Sequence, residues 1–375
     1  MAAELTGEQV LAWRMERQGI ARRAGAAGWL DVVRRICGLH AQLMSSAELT
    51  LWARADGIER GAVERALWED RTLVKTWAMR GTLHLLRADE LPLWVAAQGA
   101  LKPRHHVPSW LRYHGLTREQ ADAMLDAIPV ALDDRLLTRE ELAAEVARVT
   151  GIKGLDGKLR GGFGDLLKPA AFRGNLCFAP NEGRNVRFAR PDQWLGRQSP
   201  ADRDEAMRDV ARRYLAAYGP GTRETFARWF GNPSPAQAGK WLAALGDEAV
   251  DVKIEGEPAV MLAADVEEAA AAKPAGVVRL LPAFDHYVVA APRDADAVLA
   301  SDERSRVYGP QGWLSPVLLV DGRMAGVWSH ELRGSTVAVE IQAFEKVKPR
   351  VRAGAEAEAE RLAAYLDGPL ELVWA

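Results

Sequence analysis

Cysteine is nearly missing from this chain. Cys37 and Cys177 are the only two in 375 residues. Two isolated cysteines make neither a disulfide framework nor a zinc site, and such sparing use suits a reduced, cytoplasmic setting. Long apolar runs are missing too. None approaches the roughly 18 residues that span a bilayer, so no membrane partner is expected. The opening MAAELTGEQVLAWRM has no basic stretch followed by an apolar one, so no signal peptide is expected. No Gly-x-x-x-x-Gly-Lys-Ser/Thr loop occurs and no Gly-x-Gly-x-x-Gly follows a strand, which argues against nucleotide hydrolysis and dinucleotide binding. Gly161-Gly162-Phe163-Gly164 is glycine-rich, but a tight backbone turn explains it better than a phosphate cradle. His-Glu-x-x-His and Cys-x-x-Cys are absent. His105-His106, beside Arg104, is half a metal site or a structural histidine pair, and no third ligand stands nearby in sequence. No metal and no cofactor is expected. A large excess of one charge is also lacking, since the formal net charge is −2. The protein is therefore not basic all over.

What is present is ordinary globular material, 48% hydrophobic and 27% charged. The length suggests about two to four domains. The charge is unevenly spread. Lys153 to Arg190 holds eight basic residues (Lys153, Lys158, Arg160, Lys168, Arg173, Arg184, Arg187, Arg190) against Asp156, Asp165 and Glu182. Such a locally basic middle suits contact with a nucleic-acid backbone, and a solvated surface reads from the same residues.

Periodicity organises the rest. Gly7 to Arg23 and Trp29 to Leu39 carry apolar residues at helical spacing, Ser46 is placed to cap a third helix, and Ala62 to Trp68 makes a fourth. Leu73 to Met79 and Thr82 to Leu86 then read as two strands joined at Arg80-Gly81. Helices followed by a hairpin outline a winged helix. The outline returns with Thr138 to Val149, Asp156 to Leu167, and strands Asn175 to Ala179 and Asn185 to Ala189. It returns again with 201–218, Thr222 to Phe230, Ser234 to Leu245, and strands Ala249 to Ile254 and Ala259 to Leu262. A structural repeat without sequence repetition favours an α+β chain of three tandem winged-helix domains over a generic α+β fold. Ala264 to Ala275 is a linker or short helix. Strands are expected at Val277 to Leu281, Phe284 to Ala290, Val317 to Val320, Arg323 to Ser329, Thr336 to Phe344 and Leu370 to Trp374, with a helix at Arg350 to Leu366; a C-terminal β-barrel fits them. The expected domains are 1–117, 118–198, 199–275 and 276–375.

One polar cluster stands out between two apolar helices, Leu39-His40-Ala41-Gln42-Leu43. His40 and Gln42 lie two apart, which on extended chain points both side chains the same way. A histidine exchanges a proton near neutral pH, and a glutamine amide can orient a water. Spacing alone also reads as a helix C-cap and a buried hydrogen bond.

Gly38-Leu39-His40-Ala41-Gln42-Leu43, Trp77-Ala78-Met79-Arg80-Gly81-Thr82-Leu83-His84-Leu85, Gly219-Pro220-Gly221-Thr222, Trp229-Phe230-Gly231 and Leu281-Pro282-Ala283-Phe284-Asp285-His286-Tyr287 resemble, in that order, the AlkZ/YcaQ-like winged-helix DNA glycosylases. The resemblance runs over essentially the whole chain. It implies three tandem winged-helix domains and a β-barrel in a C-shaped body around double-stranded DNA. It also implies a monomeric, monofunctional glycosylase, a hydrolase acting on N-glycosyl bonds, that removes bulky or crosslinking N7-alkylpurines in base excision repair. Some members protect the producer of a DNA-alkylating antibiotic. The family motif is commonly Gln-x-Gln or Gln-x-Asp. Here His40 holds the first position and Gln42 the second, and both are carried over as catalytic. Gln42 would hold the water, and His40 would orient it or accept its proton. No carboxylate lies in the motif, which fits a base whose positive charge already makes it a good leaving group. No catalytic lysine is evident, so strand nicking is not expected. Arg80 and Thr82 at the first wing, then Lys158, Arg160, Lys168 and Arg173, are the expected DNA contacts, with ordinary surface charge as the other reading. For Trp77 and His84 core packing is the expectation. Two further readings are a non-enzymatic winged-helix regulator and a degenerate member that binds lesions without excising them. Three unlike modules and no obvious dimerisation helix favour the enzyme over the regulator.

Overall fold

The computed structural model describes residues 2–162 and 164–375. The chain forms two compact units, one of residues 1–62 and 211–375, the other of residues 63–210. Among the described residues no helix is long and apolar enough to cross a membrane.

In the first unit, helix Gly7–Arg17 starts at Thr6, whose hydroxyl accepts from Gln9 N while the Gln9 side chain returns to the Thr6 N–H. This reciprocal cap satisfies two of the donors a helix start leaves open. Strand Ala3–Leu5 runs parallel to Ala249–Ile254, which pairs antiparallel with Glu257–Leu262. Leu5, Val10, Trp13, Val252 and Met261 form the core between them. Helices Trp29–Arg35 and Met44–Trp52 flank the short strand Leu39–His40. The second of these does not begin at Ser46. Leu43 stands at its N-cap without a side-chain bond, and the Ser46 carbonyl inside the helix accepts the Thr50 hydroxyl at 2.8 Å. Helices Arg223–Phe230 and Pro235–Ala243 start at Thr222 and Ser234, each accepting from the backbone three residues on.

The C-terminal strands correct two expectations. Val278–Leu281, Val317–Val320, Arg323–Arg333, Thr336–Ala343 and Leu370–Trp374 form one sheet in that order, with no closure between first and last. The expected β-barrel is an open sheet among the described residues. Its last pair is parallel, joined by the crossover helix Pro349–Tyr365, as a parallel pair requires. That helix packs on the edge strand: a Cβ at Gly354 would meet Val278 at 2.9 Å. The expected strand Phe284 to Ala290 is instead helix His286–Ala290, capped by Asp285, whose carboxylate accepts Tyr287 N at 2.8 Å. The Asx cap and a left-handed Phe284 (φ 57°) end the extended chain there.

In the second unit the hairpin Leu73–Trp77 and Leu83–Arg87 turns through Met79–Gly81, with Arg80 at φ 59°. Helices Arg118–Ala131 and Arg139–Thr150 begin with capping boxes at Thr117 and Thr138. Strand Asn185–Ala189 lies between Leu137–Thr138 and Cys177–Glu182. Met124, Ile128, Leu142, Val146, Phe178 and Phe188 form the core, and Trp77 joins it edge-on to Phe178 at 4.8 Å. Trp77 and His84 are both buried, as core packing requires. The helix expected from Asp156 to Leu167 stops at Arg160 and a new one runs Lys168–Phe172. Gly162 and Gly164 between them take φ 66° and 76°; Phe163, part of the run expected to turn, lies outside the described residues.

Candidate active site

The His40 segment is fixed at its start by a turn. Helix Trp29–Arg35 ends at Ile36, and Cys37 (φ 63°) and Gly38 (φ 96°) reverse the chain, with Gly38 N donating to Val33 O at 2.8 Å. This is a Schellman-type stop. Tyr218 Oη donates to the Ile36 carbonyl at 2.6 Å. That hydroxyl also lies 3.2 Å from His286 Nδ1. With its proton already given to Ile36, the hydroxyl accepts, so His286 carries its proton on Nδ1. Leu39 to Leu43 then runs between two helices. His40 and Ala41 are buried, whereas Gln42 is exposed. The motif has an inner and an outer member.

His40 is 5% exposed and its ring stacks on Phe284, with centroids 4.9 Å apart and planes 12° from parallel. Phe284 in turn meets Trp313 edge-on at 5.1 Å. Phe284 holds a left-handed backbone, which is unfavourable for an aromatic residue and persists only where the surroundings over-determine it. The surroundings do so here. Trp328 Nε1 donates to Leu281 O at 2.8 Å, and Phe284 N donates to Leu314 O at 3.3 Å. Asp285 accepts both Arg54 guanidinium arms, at 2.6 and 2.7 Å, and neither residue has exposed surface. Arg54 stands two residues past the end of helix Met44–Trp52, which begins two residues after Gln42. The helix leaving the motif thus leads into the arginine that holds the loop stacked against the motif. Arg54 and Tyr218 carry no sequence signal beyond lying in apolar stretches. Asp285 and His286 stood in a recognisable run, but their partners lie 231 and 68 residues away.

The description "DNA glycosylase AlkZ-like" matches residues 33–365. This chain belongs to that family. It is an enzyme acting on N-glycosyl bonds in DNA. It is 40% identical over 328 residues to the interstrand DNA cross-link repair glycosylase of Streptomyces sahachiroi, covering 85% of this chain and 86% of that one. The solved structure of Streptomyces sahachiroi DNA glycosylase AlkZ superposes with a TM-score of 0.86 at 37% identity, over all of both chains.

In the glycosylase's second unit the expected DNA-contacting residues are all engaged. Arg80 is half-buried in the hairpin turn, and the Thr82 hydroxyl donates to Met79 O at 3.1 Å. Lys158 Nζ donates to His114 O at 2.6 Å, and Arg160 pairs with Asp156. Lys168 Nζ lies 3.3 Å from Asp165, whose other oxygen accepts from His114 at 3.2 Å. Burial pushes the Asp165 carboxyl up, but the Lys168 charge and the His114 bond outweigh it and hold it below the usual range. Lys168 and Phe172 also flank Gly81, so helix Lys168–Phe172 lies beside the hairpin turn.

The histidine pair has the third partner that the sequence did not show. His106 Nε2 is 2.8 Å from Asp122 Oδ1, and His105 Nε2 is 3.8 Å from it. The three could ligate a cation. Arg173 answers them instead: its guanidinium donates to His105 Nε2 at 3.1 Å, to Asp122 at 3.3 Å and to Asp126 at 3.3 Å. Because a guanidinium only donates, His105 Nε2 must be unprotonated. Burial, then the charges of Arg173 and His106, push His105 down to about 4.

Proposed function

We propose that this glycosylase hydrolyses the N-glycosidic bond of bulky or crosslinking N7-alkylpurines in double-stranded DNA, without nicking the strand, and that it acts in interstrand crosslink repair or self-resistance. The relative named as an interstrand crosslink repair glycosylase supports the pathway. The observation that carries the chemistry is the state of Asp285. The carboxylate beside the His40–Phe284 stack is fully buried and held by both arms of Arg54, so it is not available as a base. A reaction in which that carboxylate takes no part suits a base whose own positive charge makes it leave. Exposed Gln42 places the water against the anomeric carbon, and His40 orients it or takes its proton. Of three helix-and-hairpin modules with the boundaries expected above, the first supplies DNA contacts through Arg80 and Thr82, and the second through Lys158, Arg160, Lys168 and Arg173.

The test uses duplexes carrying N7-methylguanine or a bulky N7-guanine adduct, scoring free base and abasic sites. The protein should release base and leave the strand intact. Gln42→Ala should lower the rate by about 100-fold or more with DNA affinity kept. His40→Ala should do the same. No release from either duplex sinks the substrate reading, and full activity in both variants removes the motif from the mechanism.

A further inference from the structure

Trp313 is out of pattern for this protein. Trp13, Trp52 and Trp229 are buried to 2% or less, whereas Trp313 is 45% exposed. An indole left in water is ordinary on a floppy loop, but this loop is tied down. Gly309 N donates to Trp313 O at 2.9 Å, and Trp313 N to Pro310 O at 3.1 Å. Tyr308 bridges Leu314 across the neck, and Ser315 N donates to Val307 O at 3.0 Å. Gln311 (φ 55°) and Gly312 (φ 80°) make the tight turn. The ring is therefore presented in a fixed place. It meets Phe284, and Phe284 stacks on His40, so three rings run in a row from the motif to the surface.

Resting on the reading above that the leaving base is cationic, we propose that Trp313 is the specificity-determining face on which the charged alkylpurine stacks during excision. The indole has the strongest cation-attracting ring face among side chains. Its attraction also changes during the reaction. As the C1′–N9 bond breaks, its electron pair stays on N9 and the base becomes neutral. Water adds its oxygen to C1′ and one proton is lost. The face that favoured the cation then holds the neutral product less tightly, which assists release.

The test measures affinity for duplexes holding a 2′-fluoro-stabilised N7-methylguanine, which is charged but resists cleavage, and the matching neutral guanine. Wild type, Trp313→Phe and Trp313→Leu are compared, with thermal unfolding to check that each folds. Wild type should prefer the charged duplex. Trp313→Leu should reduce that preference by about 5-fold, with Trp313→Phe between them. An unchanged preference in Trp313→Leu overturns the proposal. So does an equal loss on both duplexes, which would make Trp313 a general DNA wedge. If wild type itself shows no preference and releases no N7-methylguanine, the substrate reading has failed, which the wild-type arm alone reveals.

Discussion

Arg54 and Asp285 place two full charges where no water reaches either of them. Removing such charges from water costs several kcal/mol each, offset chiefly by their bidentate contact, with Tyr287 N donating to Asp285 at 2.8 Å and Arg54 donating to Thr50 O at 3.1 Å. Arg54→Met leaves the carboxylate buried without its counter-charge, and should cost about 3–5 kcal/mol in thermal or denaturant unfolding. The double variant Arg54→Met with Asp285→Leu should recover most of that loss, because nothing charged then remains inside. Excision should nevertheless stay low in the double variant, since Phe284 loses the clamp that holds its left-handed backbone beside His40. Recovered stability with normal excision would show that the pair does not position the stack.

Between elements, glycine and histidine give sharper tests than the helices do. Gly164 sits at φ 76°, and a Cβ there would stand 2.6 Å from Trp77 Cζ2. Gly164→Ala should cost about 2–3 kcal/mol, combining backbone strain with overpacking. Gly183→Ala, at φ 59° with open space around it, should cost only about 1 kcal/mol. Equal losses in thermal unfolding would remove the Trp77 contact from the explanation. The cluster of His105, His106, Asp122 and Arg173 joins three elements and titrates in an accessible range. His105 is pushed down to about 4 from its ordinary 6.5. Between those values the unfolded chain binds more protons than the folded one. Its contribution is therefore complete above pH 6.5 and is lost as pH falls toward 4. The loss from pH 7 to 5 should be about 1–2 kcal/mol, and His105→Gln should flatten it. The bond from His106 keeps the Asp122 carboxyl below its usual range, so Asp122 stays charged through that window.

For the molecule as a whole, net charge −2 leaves DNA affinity to local groups rather than to an overall field. Each phosphate contact contributes about 0.9 to the slope of log affinity against log salt. Lys158→Ala and Arg160→Ala should each weaken binding alike on all sequences and reduce that slope by about 1 in salt titrations. Unchanged slopes would return these residues to ordinary surface charge, a role their bonds to the His114 carbonyl and to Asp156 also fit.

The sequence by itself determined the local elements. The boxes at Thr138 and Thr222, and the hairpins that start at Leu73, Cys177 and Ala249, depend on groups within a turn or two of each other, so pattern and propensity suffice to read them. Motif order likewise carried the family. The tertiary structure alone decided what those elements meet. It turned Phe284 to Ala290 from a barrel strand into a capped helix and left the C-terminal sheet open. It brought Asp122 to the histidine pair, Arg54 to Asp285 and Phe284 to His40. Stacking and buried charge pairing act over a few ångströms between residues far apart in the chain, 244 positions for His40 and Phe284. No local preference encodes which distant partner arrives; only the packed fold does.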